Sequence, residues 1–364
     1  MDEPIVVPRP TSLERTAGSV ALDRSSVIVA PVAARPVAAL LRALLSPATG
    51  YALPDAQPGV PASICYLNGA FIPLADANVN IMTHAFMYGT AVFEGIRAYW
   101  NPDEGQLYAL RLADHFRRMA DSCRILFMDP PGPVDELVAL TVDLLRRNGF
   151  REDAYVRPSV YKSTRAIGVR LHNLDQGFYI LAIPFGDYID TTHGIRTQTV
   201  SWRRVSDQSL PARAKIVGAY VNSAFAKTEA QLVGADEAIV LTADGHVSEG
   251  SAENLFMVRR GELVTPPVTD DILEGITRAG IIELAERELG LRVVERQIDR
   301  TELYVADELF LCGTGAQVSP VTEVDHHLIG EGEIGPITRR LEDAYFDAVR
   351  GRLPAYRHWL TPIY

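Results

Sequence analysis

Lys215 lies in Pro211-Ala212-Arg213-Ala214-Lys215-Ile216-Val217-Gly218, with small residues before it and a glycine after it. An amine held against packed backbone rather than in water is the kind that forms a Schiff base with a carbonyl compound. Most lysines are solvated surface charges, and this segment taken alone fits that fate as well. Glu249, between Ser248 and Gly250, is a carboxylate that could accept a hydrogen bond from a protonated ring nitrogen, or simply stand in an acidic turn. The nearest histidine, His246, has no metal-ligand spacing around it, so no metal is expected.

Two further segments suit an anion. Gly275-Ile276-Thr277-Arg278 opens a predicted helix, and backbone N–H groups with a threonine hydroxyl at a helix start form a natural phosphate site. An ordinary N-cap accounts for the same letters. Gly313-Thr314-Gly315-Ala316 follows the apolar run Glu308 to Cys312, and its small residues would let backbone approach an anion.

These residues need elements to position them. Ile64 to Pro73 reads as a hairpin turning at Asn68-Gly69. A strand at Leu107 to Leu110 leads into a helix from Leu112, and Val134 to Asn148 is a second amphipathic helix stopped by Gly149. Tyr155 to Tyr161 and Phe178 to Ile183 read as buried strands. The second half alternates strands (Thr197 to Ser201, Glu237 to Leu241, Leu255 to Val258) with helices (Ala219 to Gln231, Arg278 to Leu289). The fold class expected is α/β (α+β). The boundaries expected are an N-terminal extension over 1–61, a small α+β domain over 62–187, a connecting loop over 188–195 and a larger domain over 196–364.

The order and joint presence of the motifs carry more than any one of them. Asn68-Gly69, Thr83 to Arg97 (THAFMYGTAVFEGIR), His115 to Met119 (HFRRM), Ala154 to Pro158 (AYVRP), Ala214-Lys215, Ser248-Glu249-Gly250, Glu253 to Phe256 (ENLF), Gly275 to Arg278 and Gly313-Thr314 follow one another in one order. In this the chain resembles the branched-chain aminotransferase family of fold-type IV pyridoxal-phosphate enzymes, from about Tyr66 to Tyr345. The resemblance implies two domains with pyridoxal 5′-phosphate at their interface, and Lys215 as the Schiff-base lysine and proton shuttle. It implies that Tyr220 bonds the cofactor's phenolic oxygen, Glu249 pairs with its ring nitrogen, and Arg118, Ile276, Thr277 and Thr314 hold its phosphate. Around the substrate it places Tyr88, Phe93, Tyr155, Arg157, Phe185 and Tyr188, with backbone near Thr314, Gly315 and Ala316. Each of those aromatic rings could equally be core packing. The reaction implied is ping-pong transamination between a hydrophobic L-amino acid and 2-oxoglutarate. A homodimer or larger assembly is implied too, because in this family a neighbouring subunit completes the site.

The chain departs from the family pattern at three places. Ser163 to Asn173 (STRAIGVRLHN) brings in Arg165 and Arg170, Phe185 stands where tryptophan is frequent, and Glu274 stands where proline is common. D-amino-acid aminotransferases, aminodeoxychorismate lyases and R-selective amine transaminases share the lysine, the glutamate and the phosphate loops. Tyr155-Val156-Arg157-Pro158 and the Tyr88 to Arg97 block favour the branched-chain class. A non-catalytic scaffold is disfavoured, because it would have no need to keep Lys215, Glu249, Arg118 and Thr277 together.

Composition narrows the field from the other side. A formal charge of -11, without a basic run, argues against a nucleic-acid partner. The three cysteines, Cys65, Cys123 and Cys312, lack disulfide or zinc spacing, which fits a reducing, cytoplasmic setting. No apolar run has the length of a membrane span, so no membrane partner is expected.

Overall fold

The computed structural model describes residues 63–186 and 192–364, together with the short strands Ile28–Val29 and Asp55–Ala56, which pair in parallel. The rest of the N-terminal extension expected over 1–61, and Tyr188, lie outside the described residues. The chain divides into two units, Met1–Ser63 with Pro73–Asn78, and Ile64–Ile72 with Val79–Tyr364. Everything below concerns the second.

Its first half runs β1 (Ile64–Leu67), β2 (Ala70–Pro73), α1 (His84–Tyr88), β3 (Ala91–Phe93), β4 (Ile96–Asn101), β5 (Gln106–Leu110), α2 (Leu112–Ile125), α3 (Val134–Asn148), β6 (Ala154–Lys162) and β7 (Gln176–Pro184). The turn between β1 and β2 has positive φ at both Asn68 (45°) and Gly69 (101°), as a type I′ hairpin requires. β5, β4, β6, β7, β1 and β2 lie side by side in that order, and β3 pairs with β6 beside β4. α2 and α3 cover one face of this sheet. Phe116, Met119, Leu144 and Leu145 are fully buried among Ile96, Ala98, Val156 and Ile180. Each such side chain stabilises the fold by roughly 1.5–3 kcal/mol relative to exposure.

The second half runs β8 (Ile195–Arg203), α4 (Tyr220–Leu232), β9 (Glu237–Leu241), β10 (Val247–Gly250), β11 (Asn254–Arg259), β12 (Glu262–Thr265), α5 (Ile276–Glu288), β13 (Val293–Glu295), α6 (Arg300–Leu303), β14 (Glu308–Gly313), β15 (Gln317–Val324), β16 (His327–Leu328) and α7 (Pro336–Val349). The sheet order is β10-β9-β8-β15-β14-β11-β12-β13, with β16 on β15. α5 and α7 pack on one face around Phe256, Phe310, Ile281 and Leu341, while Ile239, Met257, Leu309 and Val321 fill the other. Two parallel contacts of β8, with β9 and with β15, make the sheet mixed.

The last strand, β17 (Leu360–Pro362), returns to the first sheet and pairs antiparallel with β5. Tyr364 Oη donates to Phe150 O at 2.8 Å, and the Arg146 guanidinium bonds the Ile363 carbonyl. The C-terminus thereby ties the second half back to the first. Ser248-Glu249-Gly250, which the sequence leaves open as an acidic turn, is strand: Ile239 pairs with Gly250 and Val240 with Glu249. Serine and glycine disfavour a strand locally, so the pairing with apolar β9 decides it.

Candidate active site

A cavity of about 750 Å³ opens between the two sheets, and Lys215 and Glu249 both line it. Lys215 enters on the segment just before α4. Its backbone is fixed by three contacts: its N–H donates to Ser122 Oγ on α2 (3.2 Å), its carbonyl accepts from Phe93 N–H (3.1 Å), and its neighbour Ile216 bridges to Val92. Just beyond, Gly218 meets Gly89 backbone to backbone, and a Cβ on Gly89 would lie 2.7 Å from the Gly218 Cα. Gly89 has φ +67°, so it needs glycine on two counts. Lys215 Nζ lies 2.6 Å from Tyr220 Oη, and it sits 5.0 Å from the centre of the Phe93 ring. Tyr220 opens α4, five residues after the lysine, and therefore presents its hydroxyl to the amine.

Buried Glu249 is held by three donors. Arg204 Nη2 meets Oε1 at 2.8 Å, while Oε2 accepts from Asn254 Nδ2 (3.2 Å) and Leu273 N–H (3.1 Å). Burial pushes the Glu249 carboxyl above its usual range, and Arg204 only partly offsets it. Asn254 also bonds Leu273 O (3.0 Å), and its Oδ1 occupies the space a Cβ on Gly275 would need, 2.0 Å away. The glycine before α5 is thus required by the carboxylate's own support.

Arg118 from α2, Ile276 and Thr277 from the first turn of α5, and Thr314 from the loop after β14 line the same cavity. Gly275 caps α5 with extended backbone and no side-chain cap bond, which leaves the first N–H groups of the helix without a capping side chain. Arg118 is gripped by Glu94: Nε to Oε1 at 2.8 Å and Nη2 to Oε2 at 2.6 Å, with Nη1 donating to Glu274 O at 2.8 Å. His115 Nδ1 adds a contact to Glu94 Oε2 at 2.7 Å. Burial raises the Glu94 carboxyl, but Arg118 and His115 outweigh it and hold it at about 2. The side chain of Glu274, at one of the family departures, pairs with half-exposed Arg213 at 2.8 Å.

Phe93, Tyr155, Arg157, Phe185 and Gly315 complete the wall. Arg157 donates from Nε and Nη2 to Tyr155 Oη (3.1 and 3.0 Å) and stacks 4.5 Å over Phe93. Tyr155 leaves no room for a Cβ on Gly95, which would come within 2.7 Å of its hydroxyl. Two expected residues stand apart. Tyr88 accepts from Gly168 N–H at 3.2 Å and packs on His84, and Ala316 is buried with its carbonyl accepting from Ser319 Oγ; neither lines this cavity.

Four residues escaped the sequence reading: Glu94, His115, Arg204 and Arg97. Arg97 is 1% exposed and donates to four carbonyls, those of Phe185 (2.7 Å), Gly186 (2.9 Å), Thr314 (3.2 Å) and Gly315 (3.2 Å), which pins the two loops that frame the pocket. Glu94 and Arg97 did leave a signal, two charges inside the apolar run Ala91 to Trp100. Arg204 left none, since nothing in its neighbourhood points to Glu249, 45 residues away.

The residues fit the group that the sequence implies. A phosphate suits the cationic, N–H-rich wall, a carbonyl carbon suits the amine, and a ring nitrogen suits the buried carboxylate. The cavity volume is in the range that small-molecule sites occupy.

Comparison with known proteins agrees. Residues 91–324 match the family described as amino-transferase class IV, and the chain belongs to that family. It is 49% identical over 299 residues to a probable branched-chain-amino-acid aminotransferase of Aquifex aeolicus, covering 82% of this chain and 96% of that one. Among solved structures it resembles the branched-chain aminotransferase of Thermoproteus uzoniensis determined with norvaline (43% identity, TM-score 0.80, 84% of this chain and 100% of that one). It also resembles the branched-chain amino acid aminotransferase of Thermobaculum terrenum in its PLP form (40% identity, TM-score 0.80, 84% and 99%).

Proposed function

We propose that this protein is a pyridoxal 5′-phosphate-dependent aminotransferase acting on branched-chain amino acids, with 2-oxoglutarate as the amino acceptor. The observation that carries the reading is one cavity lined by Lys215, whose Nζ lies beside Tyr220 Oη, by buried Glu249, and by Arg118, Thr277 and Thr314. When bound, the cofactor supplies an electron sink for the electron pair left as the substrate α-carbon loses its proton. Lys215 Nζ would hold the cofactor until the substrate amine displaces it, and the freed amine would then take that proton. Tyr220 Oη accepts from Lys215 Nζ and would donate its own proton to the cofactor's phenolic oxygen. Glu249 keeps a ring nitrogen protonated. Arg118, Ile276, Thr277 and Thr314 anchor the phosphate, so the ring cannot drift as the proton moves.

Phe93, Phe185 and Tyr155 form the apolar wall for a branched side chain, and Arg157 is the cation for the second carboxylate of 2-oxoglutarate. Residues 62–187 and 196–364 act as two domains joined through 188–195. A second copy completes the site through the surface that carries Tyr88. Ile81 (75% exposed), Phe86 (67%), Ile167 (78%) and Val169 (81%) stand exposed on two segments tied by His84 Nε2 and Gly168 O at 2.7 Å, apolar side chains that a second copy would cover. The buried thiols of Cys123 and Cys312 accord with a cytoplasmic setting, and no helix among the described residues is long and apolar enough to cross a membrane.

The test is the visible spectrum of the purified protein with pyridoxal phosphate, for the wild type and for Lys215→Ala. A Lys215-dependent band bleached faster by L-leucine than by D-alanine or an R-amine supports the reading. Faster bleaching by D-alanine or the R-amine overturns the substrate, and no band overturns the cofactor. Sedimentation of the full chain tests the assembly, and a monomer at micromolar concentration would overturn it.

A further inference from the structure

We propose that Glu94 is a positioning residue for the cofactor's phosphate group: it grips one edge of Arg118 so that the guanidinium's remaining donors stand in one fixed orientation. The inference rests on the pyridoxal-phosphate reading given above.

A guanidinium has five N–H donors. Glu94 takes the Nε hydrogen and one on Nη2, and the Glu274 carbonyl takes one on Nη1. One N–H remains on each terminal nitrogen, and these two are the donors left for a phosphate. Glu94 itself cannot move to follow Arg118. It is fully buried, its backbone N–H is tied to Pro158 O at 2.9 Å, and His115 holds its Oε2.

The residues on either side strengthen the argument. Phe93 N–H bonds Lys215 O (3.1 Å), and Gly95 O accepts from Thr314 Oγ1 (3.0 Å). Three consecutive residues therefore reach the lysine, the arginine and the threonine of one cavity. A carboxylate beside an anion site would by charge alone weaken phosphate binding. Its placement here makes sense only if orientation outweighs that repulsion, and the two effects predict opposite signs.

The experiment uses the full-length protein stripped of cofactor and measures equilibrium binding of pyridoxal 5′-phosphate and of pyridoxal, which lacks the phosphate. The readout is the ratio of the two affinities for the wild type, Glu94→Gln and Glu94→Asp. Taking the ratio within one variant cancels any loss of folded protein. Glu94→Asp keeps the charge and moves it by one methylene, which covers the case in which Glu94→Gln folds poorly. Positioning predicts that the phosphate's advantage falls about tenfold in both variants, the size of a lost charge-assisted bond, with pyridoxal affinity unchanged.

Tighter binding of pyridoxal phosphate by Glu94→Gln than by the wild type would overturn the proposal, because the carboxylate would then act through its charge. So would a wild-type ratio in both variants, or an equal loss for both ligands, which marks a merely structural role. A wild type that binds neither compound overturns the cofactor reading instead.

Discussion

Two buried glutamates beside the cavity each pair with a partly exposed arginine, and the two differ in their affinity for a proton. Glu94 receives Nε and Nη2 of Arg118 together with His115, and its carboxyl is held at about 2. Glu249 receives one nitrogen of Arg204, with the neutral donors Asn254 and Leu273 N–H on its other oxygen, and its carboxyl is raised. Burial acts on both in the same direction. The number and charge of the donors decide the outcome: a two-pronged grip outweighs desolvation, whereas a single cationic contact does not. Glu94 is already satisfied and holds Arg118 in place. Glu249 keeps capacity for one more cationic donor, which a protonated ring nitrogen would provide.

Substitutions that separate the two pairs from each other, and from Lys215, sharpen this contrast. The largest effect is expected for Lys215→Ala, which removes the amine that moves the proton. Turnover of L-leucine with 2-oxoglutarate should fall by roughly 10⁴-fold, and residual turnover near the wild-type rate would remove Lys215 from the chemistry. Next comes Glu249→Gln. The phosphate contacts are untouched, so the cofactor should stay bound while kcat falls on the order of 10²–10³-fold. If affinity falls and kcat does not, the two pairs have been assigned the wrong way round.

Glu94→Gln should act on stability in a pH-dependent way. The Glu94 carboxyl lies at about 2 in the folded protein against its usual 4.5, so the charged form is favoured by folding. That stabilisation, on the order of 3 kcal/mol, is present above about pH 4.5 and is lost as the pH falls towards 2. Denaturant unfolding across that range should show a flattened acid limb in the variant. An unchanged slope would mean that the pair adds nothing to the fold.

A smaller effect is expected from Gly95→Ala, whose Cβ would meet Tyr155 Oη at 2.7 Å. Overpacking of this kind costs about 1–3 kcal/mol and should raise KM for the amino acid while leaving cofactor affinity alone. The smallest is Arg170→Ala at an exposed position of the departing segment. Stability should change by no more than about 0.5 kcal/mol, so a change in substrate preference there would support a site completed by a second copy.

Much of the fold was legible in the chain. The helix Val134–Asn148 and the strand Glu237–Leu241 fall where their periodicity puts them, and Gly149 stops the former with φ 66°. The short strands Ala91–Phe93 and Ile96–Asn101 were hidden, because Glu94, Gly95 and Arg97 interrupt the apolar pattern that marks a buried strand. Those same interruptions were the traces of the site. Glu94 and Arg97 are tolerated in the interior because one is paired and the other bonds four carbonyls.

By itself the sequence determined which residue types the chemistry would use: the lysine, the carboxylate, the arginine and the small-residue loops lie in ordered local motifs, and local motifs survive without knowledge of the fold. Only the tertiary structure decided how those groups are held. Arg204 reaches Glu249, Glu94 reaches Arg118 and Arg97 reaches Thr314 across separations that no short-range periodicity encodes. The physical reason is that a charge's environment inside a protein is set by the donors packed around it. Those donors come from segments that only folding brings together.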